Sequence, residues 1–415
     1  MSSVTEYDFV VIGGGAAGFF AAIACAENNS VKRVAILERT STVLGKVKIS
    51  GGGRCNVTHA CFDPREFVKK YPRGSKQLIG PFHRWGATET VDWFESRGVP
   101  LKTEADGRMF PTTDRSQTVI ECLTGTAEKL GVEVKTRCAV QSVDRTEDGR
   151  WILLLEDGSS VSAAAIMVAT GGIRTPIGAK IASAFGHTVV EAAPSLFTFK
   201  VPDRRFRELS GVSVENTTVT VIGEKMNEAG PLLITHWGVS GPVVLKLSAR
   251  GARELQDLDY QFTIHINWCG GSSLQEIDEI LQGQREVSPK KRVHSGIQNF
   301  GIPSRLWQSL AAASGIQTDV TWSNLSKEER KRFARELTAG EFSVNGQSLN
   351  KDEFVTAGGV SLKEVNFKTM ESRLVSGLYF GGEVLDIDGV TGGFNFQSAW
   401  TTGRIAGESV ASVSS

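Results

Sequence analysis

Cysteine is scarce here and lacks a pattern. Cys25, Cys55, Cys61, Cys122, Cys138 and Cys269 are the only six in 415 residues, and no two are spaced C-x-x-C. Such spacing supports neither a zinc site nor a disulfide framework, so a reduced, cytoplasmic setting is expected. Excess charge of either sign is also missing. Lys plus Arg and Asp plus Glu each number 46, which argues against a nucleic-acid footprint or a membrane-surface protein while leaving room for a local basic patch. No apolar stretch reaches the roughly 20 residues of a spanning helix. Residues 1–8 carry no basic n-region, so no signal peptide is expected. With 40% hydrophobic and 22% charged residues and no long low-complexity tract, the chain reads as a soluble globular protein. Its length points to two or three domains.

Against these absences stands one strong local pattern. The apolar run Tyr7-Asp8-Phe9-Val10-Val11-Ile12 ends in Gly13-Gly14-Gly15-Ala16-Ala17-Gly18 and opens into the small-residue stretch Phe19-Phe20-Ala21-Ala22-Ile23-Ala24. A strand that ends in G-x-G-x-x-G and opens a helix suits a pyrophosphate. Gly13 permits the tight turn, Gly15 lets the backbone approach the phosphates, and Gly18 lets the helix lie close on the strand. A second apolar run, Val34-Ala35-Ile36-Leu37, ends in Glu38 about 20 residues after the last glycine, where a carboxylate accepts hydrogen bonds from a ribose hydroxyl. A dinucleotide site built on Gly13, Gly15, Ala16, Ala17, Gly18, Glu38 and the following Arg39 is therefore expected.

Residues 39–58 show almost no periodicity and read as a loop with three consecutive glycines, Gly51 to Gly53. Long loops inside compact domains are usually functional, and this one offers close backbone approach together with the cations Lys46, Lys48 and Arg54. A surface loop with solvated lysines is the competing reading. The stretch G-K-x-x-x-S-G-G-G-R-C-N-V-T is similar to a signature of bacterial FAD flavoproteins of the YhiN/BaiN type, also called aminoacetone oxidase-like. Gly107-Arg108-Met109-Phe110-Pro111, Ala169-Thr170-Gly171-Gly172, Thr235-His236-Trp237-Gly238-Val239-Ser240-Gly241-Pro242, Thr356-Ala357-Gly358-Gly359-Val360 and the long segment from Gly377 to Asn395 resemble further motifs of that family in order. The resemblance spans nearly the whole chain and is specific for family and fold, much less so for the reaction. It implies FAD as cofactor, with Gly53, Arg54, Cys55 and Asn56 of the loop near it. It also implies backbone contacts from Val140 near the adenine and from Ala169, Thr170 and Gly171 near the pyrophosphate.

Between residues 60 and 130 the sequence reads as helical, with stops at Gly98 and Gly131. Val132 to Val140 reads as a strand, followed by a small antiparallel meander, Val140–Val143, Trp151–Leu155 and Ser160–Ser162, with turns at Asp148-Gly149 and Asp157-Gly158. Ala164 to Gly172 then reads as a separate buried strand. From about Pro194 the texture becomes β-rich (Leu196–Phe199, Val212–Val214, Thr217–Ile222, Gln261–Ile266), and between Ser273 and Ala339 it becomes helical (Leu274–Leu281, Leu325–Phe333). The run Pro289-Lys290-Lys291-Arg292 reads as a solvated helix face rather than an anion site.

The expected fold is α/β: a Rossmann-like FAD-binding domain of the glutathione-reductase type, interrupted by an inserted β-rich domain that carries a helical subdomain. The boundaries read as 1–193 for the first part of the FAD-binding domain, 194–355 for the inserted substrate domain with its helical insertion at about 272–339, and 356–415 for the return segment. In that segment a short buried strand, Leu378-Tyr379-Phe380, ends in Gly381-Gly382-Glu383, with Gly382 close to the cofactor and Glu383 placed to accept from ribityl hydroxyls. Gly393, Phe394, Asn395 and Phe396 begin a last helix whose N-terminus suits the flavin pyrimidine ring, where negative charge appears on reduction. Asp388 is grouped with this site, and both it and Asp386 read equally as turn residues.

A flavin performs the redox step itself, so the protein's task is orientation and substrate placement. His236 is read both as a proton-transfer group and as a structural histidine. Arg54 is read as a clamp for a substrate carboxylate or reduced-flavin charge, and equally as packing, as are Trp237 and Phe394 lining a pocket. Five residues separate Cys55 from Cys61, one too many for the C-x-x-x-x-C redox pair, and no second G-x-G-x-x-G follows a mid-chain strand. A thiol relay and a dedicated NAD(P)H domain are thus not expected, which leaves oxygen as acceptor or transient entry of NAD(P)H. The function read from the sequence is an FAD-dependent oxidoreductase acting on a small molecule by hydride transfer at flavin N5, as oxidase or NAD(P)H-linked reductase, with no metal, nucleic-acid or membrane partner. A flavin-dependent RNA-modifying protein and a flavin-bound sensor without turnover are the alternatives.

Overall fold

The computed structural model describes residues 4–173, 176–348 and 355–413. The chain divides into two compact units, Met1–Ala193 with Lys351–Ser415, and Pro194–Asn350.

In the first unit the strand β1, Thr5–Ile12, is flanked on one side by β2, Val34–Leu37, and on the other by the long strand Ser160–Val168, both parallel to it. Glu133–Lys135 extends the parallel sheet beyond β2, and Leu378–Phe380 extends it beyond Ser160–Val168. Parallel strands need both faces covered, and these are apolar throughout: Phe9 to Ile12 and Val34 to Leu37 are all buried. The register matters most for function. Ile12 pairs with Leu37 on one side and Val168 on the other, and Phe380 pairs with Val168. Gly13, Glu38, Ala169 and Gly381 therefore leave the sheet along one carboxyl edge, with the chain crossing to opposite sides of β1, the arrangement that opens a crevice for a ligand.

The helix α1, Ala16–Asn28, lies against β1 and against the final helix, Phe394–Ser412. Alanines and glycines let the two helix backbones touch: a Cβ on Gly403 would lie 2.3 Å from the Ala17 carbonyl, and one on Gly407 2.1 Å from that of Ala21. Residues Ala17 to Ala26 are consequently buried around the whole circumference of α1.

Several local expectations are corrected. The stretch after Glu38 is not all loop, since α2 spans Gly45–Gly53, but its regular backbone fails at Ser50 and turns left-handed at Gly51 and Gly52. Residues 60–130 are not purely helical: Arg108–Pro111 forms the centre of a three-stranded antiparallel sheet with Thr58–His59 and Leu101–Thr103. Val132 to Val140 is not one strand. Arg137 adopts a φ of 53°, and the chain bends there so that Arg137 N and Cys138 N donate to the carbonyls of Thr40 and Glu38. The third meander strand and the following buried strand are a single strand, Ser160–Val168, antiparallel to Trp151–Leu155 along its first half and parallel to β1.

The second unit is a seven-stranded antiparallel sheet backed by helices. Its strands include Ser213–Val221, Met226–Thr235, Gly238–Ser240 and Gln261–Asn267. Val219, Ile234, Val239 and Ile264 from the sheet and Leu281, Leu306, Trp307 and Phe333 from the helices share one buried core.

Candidate cofactor site

The glycine turn is stitched to both neighbouring strands. Gly13 N donates to Leu37 O at 2.9 Å, Ala169 N donates to Ile12 O at 2.9 Å, and Leu44 N donates to Gly14 O at 2.8 Å. Each motif glycine answers a different steric demand. Gly13 has φ +116°, and a Cβ there would lie 2.4 Å from the Ala169 carbonyl oxygen. A Cβ on Gly18 would lie 2.1 Å from Gly13 O, because α1 starts directly over the turn. At Gly15 a Cβ would meet nothing within 4 Å. That space sits at the N-terminus of α1, whose first turn has no acidic residue and no side-chain cap. Free N–H groups and positive helix dipole face a gap left open by the missing side chain, which fits a phosphate group.

The rim carries further features of a cradle. Among the described residues, a Cβ on Gly45, Gly52, Gly53 or Gly171 would likewise meet nothing within 4 Å. Thr170 Oγ1 is buried with no hydrogen-bond partner among the described residues, a polar atom that a ligand can satisfy. These observations fit an extended dinucleotide along the carboxyl edge.

Glu38 is half-buried and already engaged: Oε2 accepts from Gly14 N at 2.9 Å, and Oε1 from Thr40 N and Oγ1, each at 2.8 Å. It ties the glycine turn to the end of β2, which leaves lone pairs on both oxygens for a further donor. Arg39 beside it is exposed. Glu383 Oε1 accepts from Thr356 N at 2.9 Å, while its other oxygen pairs with the Lys46 ammonium. Two candidate residues far apart in sequence thus meet across the crevice. Gly382 has φ +73° and packs against Ala17, and its N–H donates to Thr402 Oγ1 at 2.9 Å.

The segment Asn56 to Thr58 is clamped to the start of the final helix. With its amide nitrogen donating to Thr58 O, Asn56 accepts from Gly393 N at 2.9 Å. Trp400 Nε1 donates to Val57 O at 2.9 Å, and Thr58 Oγ1 donates to Gln397 Oε1 at 2.6 Å. Asn395 closes its own loop through two 2.8 Å bonds with the backbone of Gly389. Cys55 is fully buried with φ 62°, and burial pushes its thiol up to about 12. It is therefore an un-ionised packing group.

Four candidates take packed or ion-paired positions, which for Arg54 and Phe394 is the packing alternative already read from the sequence. The Phe394 ring is buried among His59, Phe67 and Tyr71, and Tyr71 OH donates to its carbonyl. Phe396 stacks on Trp400 at 5.6 Å. Asp388 is fully buried with both carboxylate oxygens engaged by Arg73. Arg54 lies over the Phe110 ring at 3.9 Å, with Nη1 2.6 Å from Glu104 and 3.5 Å from Asp114, so its charge is already answered by two carboxylates. Val140 is buried at the start of its strand. His236 and Trp237 belong to the second unit, where both are exposed on the turn between Met226–Thr235 and Gly238–Ser240, and Trp237 Nε1 donates to Thr198 Oγ1 at 3.2 Å.

Sequence reasoning overlooked Thr356, Gln397, Thr402 and Arg73. Thr356 lies inside a quoted motif and was available. The other three carry no local signal, because their partners are distant in sequence. Among the described residues no helix is long and apolar enough to cross a membrane, and no cluster of His, Cys, Asp or Glu suits a metal ion.

This chain is similar to known proteins along nearly its whole length. It is 30% identical to a ribosomal RNA dihydrouridine synthase of Haemophilus influenzae, covering 95% of this chain and 96% of that one. It is 28% identical to a 3-dehydro-bile acid delta(4,6)-reductase of Clostridium scindens, covering 97% and 98%. Among solved structures, the 3-ketosteroid-delta4-(5alpha)-dehydrogenase of Rhodococcus jostii superposes with a TM-score of 0.53 at 17% identity, covering 100% of this chain and 98% of that one. A likeness at that identity speaks to the fold alone. The family described as the HI0933-like protein Rossmann domain matches residues 7–409. The glycine turn, the carboxyl-edge crevice and that match together make this chain a member of the HI0933-like family of Rossmann-fold, FAD-dependent oxidoreductases.

Proposed function

We propose that this protein adds two hydrogen atoms across a carbon–carbon double bond conjugated to a carbonyl, and that its substrate class is uracil within RNA. The observation that carries the proposal is a bond change shared by two relatives that differ in substrate. Forming dihydrouridine saturates the C5–C6 bond of uracil, which is conjugated to the C4 carbonyl, and a delta(4,6)-reductase saturates ring double bonds. The relative named for RNA also has the higher identity. The zero net charge of the chain is a sum over the whole sequence and says nothing of any one face.

Bound FAD supplies the hydride acceptor and donor, with NAD(P)H as the proposed source of electrons. Uracil C6 gains hydride and C5 gains a proton, while NAD(P)H is oxidised to NAD(P)+. In this reading Gly13, Gly15 and Gly18 hold the pyrophosphate, with Ala16 and Ala17 supplying N–H groups at the start of α1. Glu38 would accept from the ribose, Glu383, paired with Lys46, would hold the ribityl hydroxyls, and the helix begun at Gly393 would serve the pyrimidine ring. His236 is the proposed proton donor. A cytoplasmic setting is part of the same proposal.

The test is an anaerobic incubation of purified holoprotein with protein-free ribosomal RNA and NADH or NADPH, followed by mass spectrometry of the nucleosides. Flavin bleaching by one of the two nucleotides and a gain of dihydrouridine are expected. A small-molecule reductase is the second reading, favoured by the bile acid relative. It prevails if a conjugated steroid enone re-oxidises the reduced flavin and RNA does not.

A further inference from the structure

The second unit carries a surface on which exposed cations gather. Lys290, Lys291 and Arg292 are exposed on a turn held by three backbone bonds, Val293 N to Val320 O at 2.9 Å, and Trp322 N to Lys291 O and Ser323 N to Pro289 O at 3.0 Å each. A cavity lined by Lys291, Gln298, Asn299, Phe300 and Ser304 joins this turn to the start of the helix Ser304–Ala313. The next residue, Arg305, is exposed and donates through Nη1 to Glu208 O at 3.1 Å, which brings it beside the exposed Arg207. Ser309 Oγ donates to Arg205 O at 2.7 Å, so the turn carrying Arg204 is held to the same helix.

Among the described residues none of Arg204, Arg207, Lys290, Lys291, Arg292 and Arg305 is in an ion pair, whereas the neighbouring Arg205 is paired with Asp203 and Glu336. Exposed carboxylates on the adjoining segments are Glu208, Glu286, Asp319, Glu328 and Glu341. The base under these groups is rigid: Trp307 is buried, with Nε1 donating to Val293 O at 2.8 Å. Long cationic side chains that make no ion pair, set on a rigid surface, suit a partner that brings regularly spaced negative charge. The polar cavity wall adds amide and hydroxyl donors of the kind that position phosphates and sugars.

We infer that this face docks the phosphate backbone of RNA, holding the substrate polymer while a single base is processed. The inference rests on the reading of uracil in RNA as substrate. It also turns Lys290–Arg292, a solvated run by sequence alone, into one edge of a binding surface.

The test uses full-length holoprotein, with protein-free ribosomal RNA as probe and fluorescence anisotropy read over a salt series. Wild type should bind with an affinity that falls steeply with salt. The triple variant Lys291→Ala, Arg292→Ala, Arg305→Ala should bind about tenfold more weakly or worse, and the slope of log Kd against log salt should drop by about 2, as expected for three lost phosphate contacts. Its flavin content and melting temperature should match wild type. A control triple, Lys76→Ala, Lys129→Ala, Lys363→Ala, removes equal charge from exposed positions of the first unit and should bind like wild type. Equal losses in both triples, or none in the first, would overturn the inference, as would binding to phosphatidylglycerol vesicles but not to RNA. RNA bound through these cations without any dihydrouridine formed would sink the reaction and leave the surface standing. Undiminished turnover of ribosomal RNA by the first triple would do the reverse.

Discussion

Arg73 and Asp388, 315 positions apart, meet in a two-pronged ion pair in which Nε and Nη2 of the guanidinium each donate to one carboxylate oxygen. The aspartate is fully buried and the arginine side chain is 16% exposed. A short antiparallel bridge joins the same two residues through the backbone. The pair fixes the loop that leads to the final helix, so its role is expected to be structural rather than a cofactor contact. Removing one partner strands a buried charge, at a cost of about 3 kcal/mol or more. Asp388→Ala should therefore lower the denaturant midpoint strongly while the folded fraction keeps its flavin. Flavin lost at unchanged stability would restore Asp388 to the cofactor.

The glycine turn separates folding from binding. Ala at position 18 would place its Cβ 2.1 Å from Gly13 O, so Gly18→Ala should destabilise the apoprotein and abolish flavin retention together. Gly15 has a φ of −95° that any residue adopts and nothing within 4 Å of a built Cβ. Gly15→Ala should leave apoprotein stability within about 1 kcal/mol of wild type, yet weaken FAD at least about tenfold, or about 1.4 kcal/mol. Titration of FAD into both apoproteins, with melting curves alongside, decides the matter. Wild-type affinity in Gly15→Ala would show that no phosphate approaches there.

The contrast between these glycines also marks what a sequence reveals. Strand, turn, helix and acid from Tyr7 to Glu38 are legible because each signal is local: an unbroken buried run, glycines at fixed offsets, small residues where two backbones touch. Met226–Thr235 was missed because Gly230 and Pro231 interrupt it, and Arg108–Pro111 because four residues are too few to show alternation. The left-handed turn at Gly51 and Gly52 ends a helix that three glycines conceal. The ties between Lys46 and Glu383 and between Asn56 and Gly393 are products of strand order, which no window of sequence contains.

Glu38 and His236 should fail in different ways. Glu38→Ala leaves Gly14 N and Thr40 N without their acceptor and removes the proposed ribose contact, so flavin should be lost on purification. His236 stands exposed on a turn of the second unit, and its proposed task is proton transfer, worth on the order of a hundredfold in rate. His236→Ala should retain flavin and lower kcat. Flavin loss from the His236 variant alone would overturn this division.

His187 should make stability depend on pH. Its side chain is fully buried, with Nε2 2.8 Å from Ser372 Oγ, Nδ1 3.3 Å from Glu364 Oε2 and the ring edge-on to Phe380. Burial holds its pKa below the ordinary value of 6.5, and the Glu364 carboxylate offsets only part of that shift. The unfolded chain thus takes up this proton more readily than the folded one. Its contribution to stability is complete above about pH 6.5 and is lost as pH falls from there through the lower folded value, by at most about 1.4 kcal/mol per pH unit. The melting temperature of wild type should accordingly drop between about pH 7.5 and pH 5.5. His187→Gln, which keeps a hydrogen-bonding group near Ser372 but does not titrate, should show a shallower decline over the same range whatever its stability at neutral pH. Parallel curves for the two proteins would mean that another group carries the dependence.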